Sequence, residues 1–167
     1  MKDVKLPPNV SIRHEFKPGD IASLVYLHGS LYAAECGWDH TFENYVAGPL
    51  SEFAKSQSTR EQIWLVDNGK RLGGSIAIVQ ASPETAQLRW FLLHPDLRGR
   101  GIGRYLMNEA IRFCRGKDYH SVFLWTEASL ETAAGLYISA GFQLTEQKTH
   151  ELWGTTVTEQ RYDLSLK

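Results

Sequence analysis

Between Leu97 and Tyr105 the chain runs Arg98-Gly99-Arg100-Gly101-Ile102-Gly103-Arg104. Glycines at alternate positions remove Cβ atoms, so a ligand can approach the backbone closely and positive φ becomes available. Successive N–H groups in such a turn can converge on an anion. A helical period opens at Gly103, which adds the positive end of a helix dipole and its unsatisfied donors. Arg98, Arg100 and Arg104 place three cations around the same point. The chemistry this suits is capture of a pyrophosphate. The spacing is not that of a Walker loop, because no Gly-Lys-Ser/Thr follows, and the third glycine falls wrong for the G-x-G-x-x-G fingerprint. On these residues alone, a basic glycine-rich connection with a purely structural role stays open.

A turn of this kind needs a strand to deliver the chain to it and a helix to leave it. Thr85 to Leu93 reads as that strand, ended by Pro95, and Gly103 to Arg115 as the helix, with Tyr105, Leu106, Ala110, Ile111 and Phe113 at helical spacing. Ser121 to Thr126 is a short buried strand. Residues 85–126 therefore form a strand–helix–strand unit, expected as a right-handed parallel crossover. Upstream, Asn9 to Phe16 alternates as a half-buried strand. Asp20 caps a helix from Ile21 to Cys36, and a second helix runs from Thr41 to about Ser56, kinked or split at Pro49. Gln62 to Val66 and Arg71 to Gln80 make a hairpin around Asp67-Asn68-Gly69-Lys70. Downstream, Leu130 to Ala140 is a helix closed by Gly141, and Phe142 to Leu152 and Thr156 to Leu166 are strands joined at Gly154. The order β-α-α-β-β-β-α-β-α-β-β predicts a mixed α/β sheet in a single domain spanning 1–167.

The bulk properties agree with one domain. The chain has 167 residues, 43% hydrophobic and 22% charged, with a formal net charge of −1. No Lys/Arg run suggests nucleic acid, and no apolar stretch approaches a membrane span. The start Met-Lys-Asp-Val-Lys-Leu-Pro-Pro has no apolar core of a signal peptide. Cys36 and Cys114 are too few and too far apart for a disulfide framework or a metal motif, so two reduced thiols and a cytoplasmic location are expected.

Arg98, Gly101 and Gly103 match the Gln/Arg-x-x-Gly-x-Gly/Ala motif of the GNAT superfamily of acyltransferases, and Leu136-Tyr137-Ile138-Ser139-Ala140-Gly141-Phe142 matches that family's Leu-Tyr-x-x-x-Gly-Phe. With both motifs in register, the chain resembles a GNAT acetyltransferase over most of its length. From Leu88 to Tyr162, and at Leu31 to Trp38, it is also similar to the acetyltransferase half of bacterial proteins that fuse a MarR-type winged helix to a GNAT domain. The chain has no room for the winged helix, so no DNA-binding role is carried over.

The resemblance implies acetyl-CoA as cosubstrate, lying between the fourth and fifth strands. Its pantetheine arm would pair with the backbone of Phe91, Leu92 and Leu93. Its pyrophosphate would meet Arg98, Gly99, Arg100, Gly101, Ile102, Gly103 and Arg104. The amine of an acceptor then attacks the thioester directly, without an enzyme nucleophile and without a metal. The amide near Leu93 can polarise the carbonyl, and Tyr137 can protonate the departing thiolate. Packing in the core is the competing role for Tyr137. The glutamate often found on the family's fourth strand is missing, because Arg89 is the only charge there. Glu35 and Glu127 are the candidate bases, each with a surface or capping role as the alternative. The family's CoA-contacting asparagine is replaced by Leu130, with Ser129 or Thr132 as substitutes.

The acceptor should sit across from CoA, among Tyr32, Glu35, Trp38, Asp39, His40, His150 and Trp153. Aromatics beside carboxylates suit a small cationic or amine-bearing molecule, and a hydrophobic cap on the sheet is the alternative. Trp90 and Trp125 are expected in the core. A regulatory module that binds acyl-CoA without turnover is the second function class. Either a monomer or a homodimer fits the family.

Overall fold

The computed structural model describes residues 5–56 and 58–167; residues 1–4, read above for a leader, lie outside them. The elements are β1 (Ser11–Arg13), α1 (Asp20–Cys36), α2 (Thr41–Lys55), β2 (Gln62–Asp67), β3 (Leu72–Gln80), β4 (Thr85–Leu93), α3 (Ile102–Gly116), β5 (Ser121–Glu127), α4 (Glu131–Ser139), β6 (Gln143–Leu152) and β7 (Thr155–Ser165). They build one seven-stranded sheet in the order β1-β2-β3-β4-β5-β7-β6. Among the described residues only β4 and β5 pair in parallel, as the helical crossover between them requires.

Both faces of the sheet are covered. On one face α3 and α4 pack Ile102, Leu106, Met107, Ala110 and Tyr137 against Trp64, Val66, Ile76 and Ile78. On the other, α1 and α2 pack Leu24, Phe42, Val46 and Leu50 against Ile63, Leu65 and Trp90. The run Ile63-Trp64-Leu65-Val66 is buried throughout because its neighbours divide between two covered faces.

Two irregularities in β4 shape the centre. Its parallel pairing with β5 covers Thr85 to Gln87 and stops, so the β5-facing edge of residues 88–93 is unpaired. Against β3 the register slips, with Ala77 opposite Arg89 but Ser75 opposite Leu92. One β3 residue thus faces two on β4, a bulge at Trp90-Phe91 with Trp90 at φ +48°. Alternation breaks there. Leu88 and Phe91 pack toward α3 and α4, while Trp90 packs toward α1 and α2, and Arg89 lies over Tyr45 of α2. The buried Ser75 hydroxyl donates to the Trp90 carbonyl at 2.6 Å, which gives the displaced carbonyl a partner. Gly74 permits the close approach, since a Cβ there would stand 2.4 Å from the Leu92 carbonyl oxygen.

Several expectations are corrected. The first strand is only Ser11–Arg13; beyond it the His14 ring bonds the Ile63 carbonyl and Phe16 packs on Phe53. Gly19, at φ +90°, occupies the cap of α1, and Asp20 is its first helical residue. The Asp20 carboxylate is drawn to Arg13 at 2.9 Å and to the Lys17 amide at 2.7 Å. α2 continues through Pro49 as a single helix, held by its buried side Phe42, Val46 and Leu50.

Candidate active site

The glycine turn lies where the sequence places it, below the open end of β4. Gly99 and Gly101 take φ of +70° and +80°, and Gly101 caps α3. The first turn of α3 presents amides that have no acceptor within the helix. Arg100 and Arg104 flank it, both exposed. The Ile102 side chain is buried in the core, so only its backbone can meet a ligand.

Arg98 is otherwise engaged. Its amide donates to the Pro95 carbonyl, its Nε to the Leu93 carbonyl at 2.8 Å, and its guanidinium pairs with Glu35 at 2.7 Å. It therefore ties the end of β4 to the end of α1. A groove of about 640 Å³ runs from this point along Phe91, Leu92 and Leu93 to Leu130, Thr132, Ala133 and Leu136 of the α4 region. Thr132 lines it. Ser129 does not: its amide donates to the Glu127 carboxylate at 2.8 Å, and its hydroxyl bonds the same oxygen.

A second cavity, of about 110 Å³, lies between the sheet and α1 and α2. Tyr32, Phe91 and Leu130 line both spaces, so these three side chains form their common wall. Tyr137 lines the smaller one. Its ring is 5% exposed, with centroids 6.2 Å from Phe91 and 5.9 Å from Tyr162. Core packing and a place at the cavity are both true of it. Burial, with the Tyr32 hydroxyl nearby, pushes its phenol far above the ordinary value and outweighs a hydrogen bond with Thr126. Tyr137 is accordingly a protonated phenol at neutral pH.

The acceptor-side residues divide. Tyr32, Trp38 and Trp153 line the cavity, with Tyr32 stacked on Trp38 at 4.8 Å and Trp38 at 4.4 Å from Trp153. Glu35 lies on the groove side, held by Arg98. Asp39 is engaged at the start of α2, its carboxylate accepting from the Thr41 amide at 2.9 Å. His40 is exposed at that helix start. His150 points to Glu159 at 2.8 Å, and it is Glu159 that reaches the cavity wall. Glu127 is also on the wall. Trp90 is buried in the core as expected, but Trp125 is only half-buried, lines the cavity and carries the Lys148 ammonium at 4.8 Å from its ring. Cys114 is buried, and burial pushes its thiol up to about 12. Among the described residues no cluster of three or more His, Cys, Asp or Glu could hold a metal, and no helix is long and apolar enough to cross a membrane.

Sequence reasoning passed over His28, Tyr45, Gln87 and Glu159, which all line the cavity. His28 is 3% exposed; its Nδ1 lies 2.7 Å from the Leu24 carbonyl and its Nε2 has no partner. A carbonyl only accepts, so Nδ1 carries the proton and Nε2 the lone pair. The helical period assigns His28 to the inner face of α1, but nothing in its spacing separates a cavity wall from a core.

The acetyltransferase (GNAT) family profile matches residues 30–142. An uncharacterized N-acetyltransferase of Schizosaccharomyces pombe is 29% identical over 150 residues, covering 86% of this chain and 89% of its own. Among solved structures, an acetyltransferase of Streptococcus agalactiae superposes with a TM-score of 0.77 at 22% identity, over 95% of this chain and 99% of that one. A Salmonella typhimurium protein solved with its cofactor acetyl-CoA gives 0.72 at 20% identity, over 95% of each chain. The fold is thus that of these acetyltransferases. The chain belongs to the acetyltransferase (GNAT) family and is an N-acetyltransferase.

Proposed function

We propose that the protein transfers the acetyl group of acetyl-CoA directly to the amine of a small acceptor. The observation that carries this reading is that the groove along the unpaired edge of β4 meets an aromatic cavity at Tyr32, Phe91 and Leu130. In this reading Phe91, Leu92 and Leu93 hold the pantetheine arm through their backbone. Gly99, Gly101, Gly103, Arg100 and Arg104 receive the pyrophosphate, and Thr132 lies along the groove. Arg98 acts by fixing the end of β4.

The acceptor amine enters between Tyr32, Trp38, Trp125 and Trp153. Its nitrogen attacks the thioester carbon; the C–N bond forms and the C–S bond breaks. The Leu93 region polarises the carbonyl. Tyr137 gives its proton to the departing thiolate. Glu127, rather than Glu35, takes the amine proton, because Glu127 stands on the cavity wall while Glu35 is held by Arg98.

We further read the chain as a cytoplasmic single-domain enzyme, a monomer or a homodimer, akin to the acetyltransferase half of the MarR–GNAT fusions and with no nucleic-acid role. The test is thiol release from acetyl-CoA with a panel of amines and peptides. Release with at least one small amine is expected. Acetyl-CoA left intact with every acceptor would overturn the reading.

A further inference from the structure

Arg89 projects from β4 into the cavity wall, with its Cζ 4.8 Å from the Trp90 ring and 5.9 Å from that of Tyr45. It is half-buried. Among the described residues it has no carboxylate within 4.0 Å. Of the other half-buried arginines, Arg13 pairs with Asp20 at 2.9 Å and Arg161 with Asp163 at 2.9 Å, while Arg60, which also lacks a carboxylate, lies over Tyr119 and donates to the Pro83 carbonyl at 2.8 Å. A guanidinium removed from water without a counter-ion is costly, and the aromatic rings beside it offset only part of that cost.

The opposite imbalance stands elsewhere on the same wall. Glu127 of β5 and Glu159 of β7 are directly paired across the sheet, and both line the cavity. Like charges at facing positions repel. Local relief is partial. Glu159 receives His150 at 2.8 Å, Glu127 receives the Ser129 amide, and Lys148, next to Glu159 in register, is turned over Trp125 and pairs with Glu146 at 3.2 Å. One cavity of about 110 Å³ thus has an unpaired cation on one strand and a pair of carboxylates on two others.

From this we infer that the acceptor is a compact zwitterion of the α-amino-acid kind, its ammonium facing Glu127 and Glu159 and its carboxylate bound by Arg89. The inference rests on the acetyl transfer proposed above and narrows its acceptor. A plain amine or polyamine would satisfy the carboxylates but would leave Arg89 uncompensated and set a second cation against it.

The experiment is steady-state acetyl-CoA turnover with matched pairs, L-alanine against ethylamine and L-leucine against isopentylamine, and with spermidine. The purified full chain is compared with Arg89→Gln and Arg89→Lys. The expected result is higher kcat/KM for each amino acid than for its decarboxylated partner. That ratio should fall roughly ten- to hundred-fold in Arg89→Gln, the range for losing a charged hydrogen bond, and be partly restored in Arg89→Lys, mainly through KM. The KM for acetyl-CoA and the melting temperature report whether the variant keeps its donor groove and fold. If Arg89→Gln does not fold, the matched pairs on the native chain still decide. Equal or better turnover of the plain amines or spermidine overturns the inference and leaves acetyl transfer standing, as does an unchanged ratio in a folded Arg89→Gln. No thiol release with any acceptor overturns both.

Discussion

Tyr137 combines a place in the core with a place on the cavity wall. Its ring closes the core between Phe91, Phe142 and Tyr162, and the same burial keeps its phenol protonated. A protonated phenol at the cavity is what departure of a thiolate needs. Tyr137→Phe should keep the fold and lower kcat by roughly 10²-fold, within the range for losing a general acid, with the KM for acetyl-CoA nearly unchanged. Stopped-time thiol assays on the purified variant would check this, and undiminished turnover would remove Tyr137 from the mechanism. Ser75 works by a different route. Ser75→Ala leaves the Trp90 carbonyl buried without its 2.6 Å partner, which should cost about 1–3 kcal/mol in urea unfolding and raise the KM for acetyl-CoA as the bulge relaxes.

At the scale of elements, the turn into α3 depends on backbone handedness. Gly101 sits at φ +80° immediately before the helix. A β-branched residue there meets a left-handed penalty of roughly 1–2 kcal/mol and sets a side chain over the first-turn amides. Gly101→Val should therefore raise the acetyl-CoA KM by about tenfold or more, the equivalent of about 1.4 kcal/mol, with a smaller loss in thermal stability. Isothermal titration with CoA would measure it; wild-type affinity would show that the turn does not bind the donor. α1 and α3 approach the same end of β4 from opposite faces, and Arg98 joins α1 to that strand end through Glu35 and the Leu93 carbonyl.

For the molecule as a whole, acid stability should reflect His28. Burial lowers this imidazole from its ordinary 6.5 to about 4, while the Leu24 carbonyl opposes the shift. The unfolded chain then takes up a proton that the folded one refuses, so its contribution is complete above pH 6.5 and is lost as pH falls toward 4. The difference amounts to roughly 3 kcal/mol. Urea unfolding of native protein and His28→Leu at a series of pH values should show a shallower acid decline for the variant. Parallel declines would show that His28 takes up its proton equally in the folded and unfolded chain.

The order of elements was legible in the sequence, since periods of two and of about 3.6 alternate cleanly along it. The glycine-rich turn before α3 was legible too, because glycines, arginines and a helix start are contiguous residues whose meaning is local. Tyr137 was legible for the same reason, as part of a seven-residue motif. Tertiary structure alone decided the rest. The bulge at Trp90 has no glycine or proline to announce it; it comes from competition between β3 and two covered faces for the same stretch of β4. With that bulge Arg89 and Trp90 both face α1 and α2. Glu159 reaches the cavity while His150 stands behind it, because pairing of β6 with β7 sets their order. Glu35 is taken by Arg98, a residue 63 positions away in number. The aromatic cavity is made by side chains from α1, α2, β4, β5 and β7, and no local pattern encodes which of their residues meet when separate elements pack on one sheet.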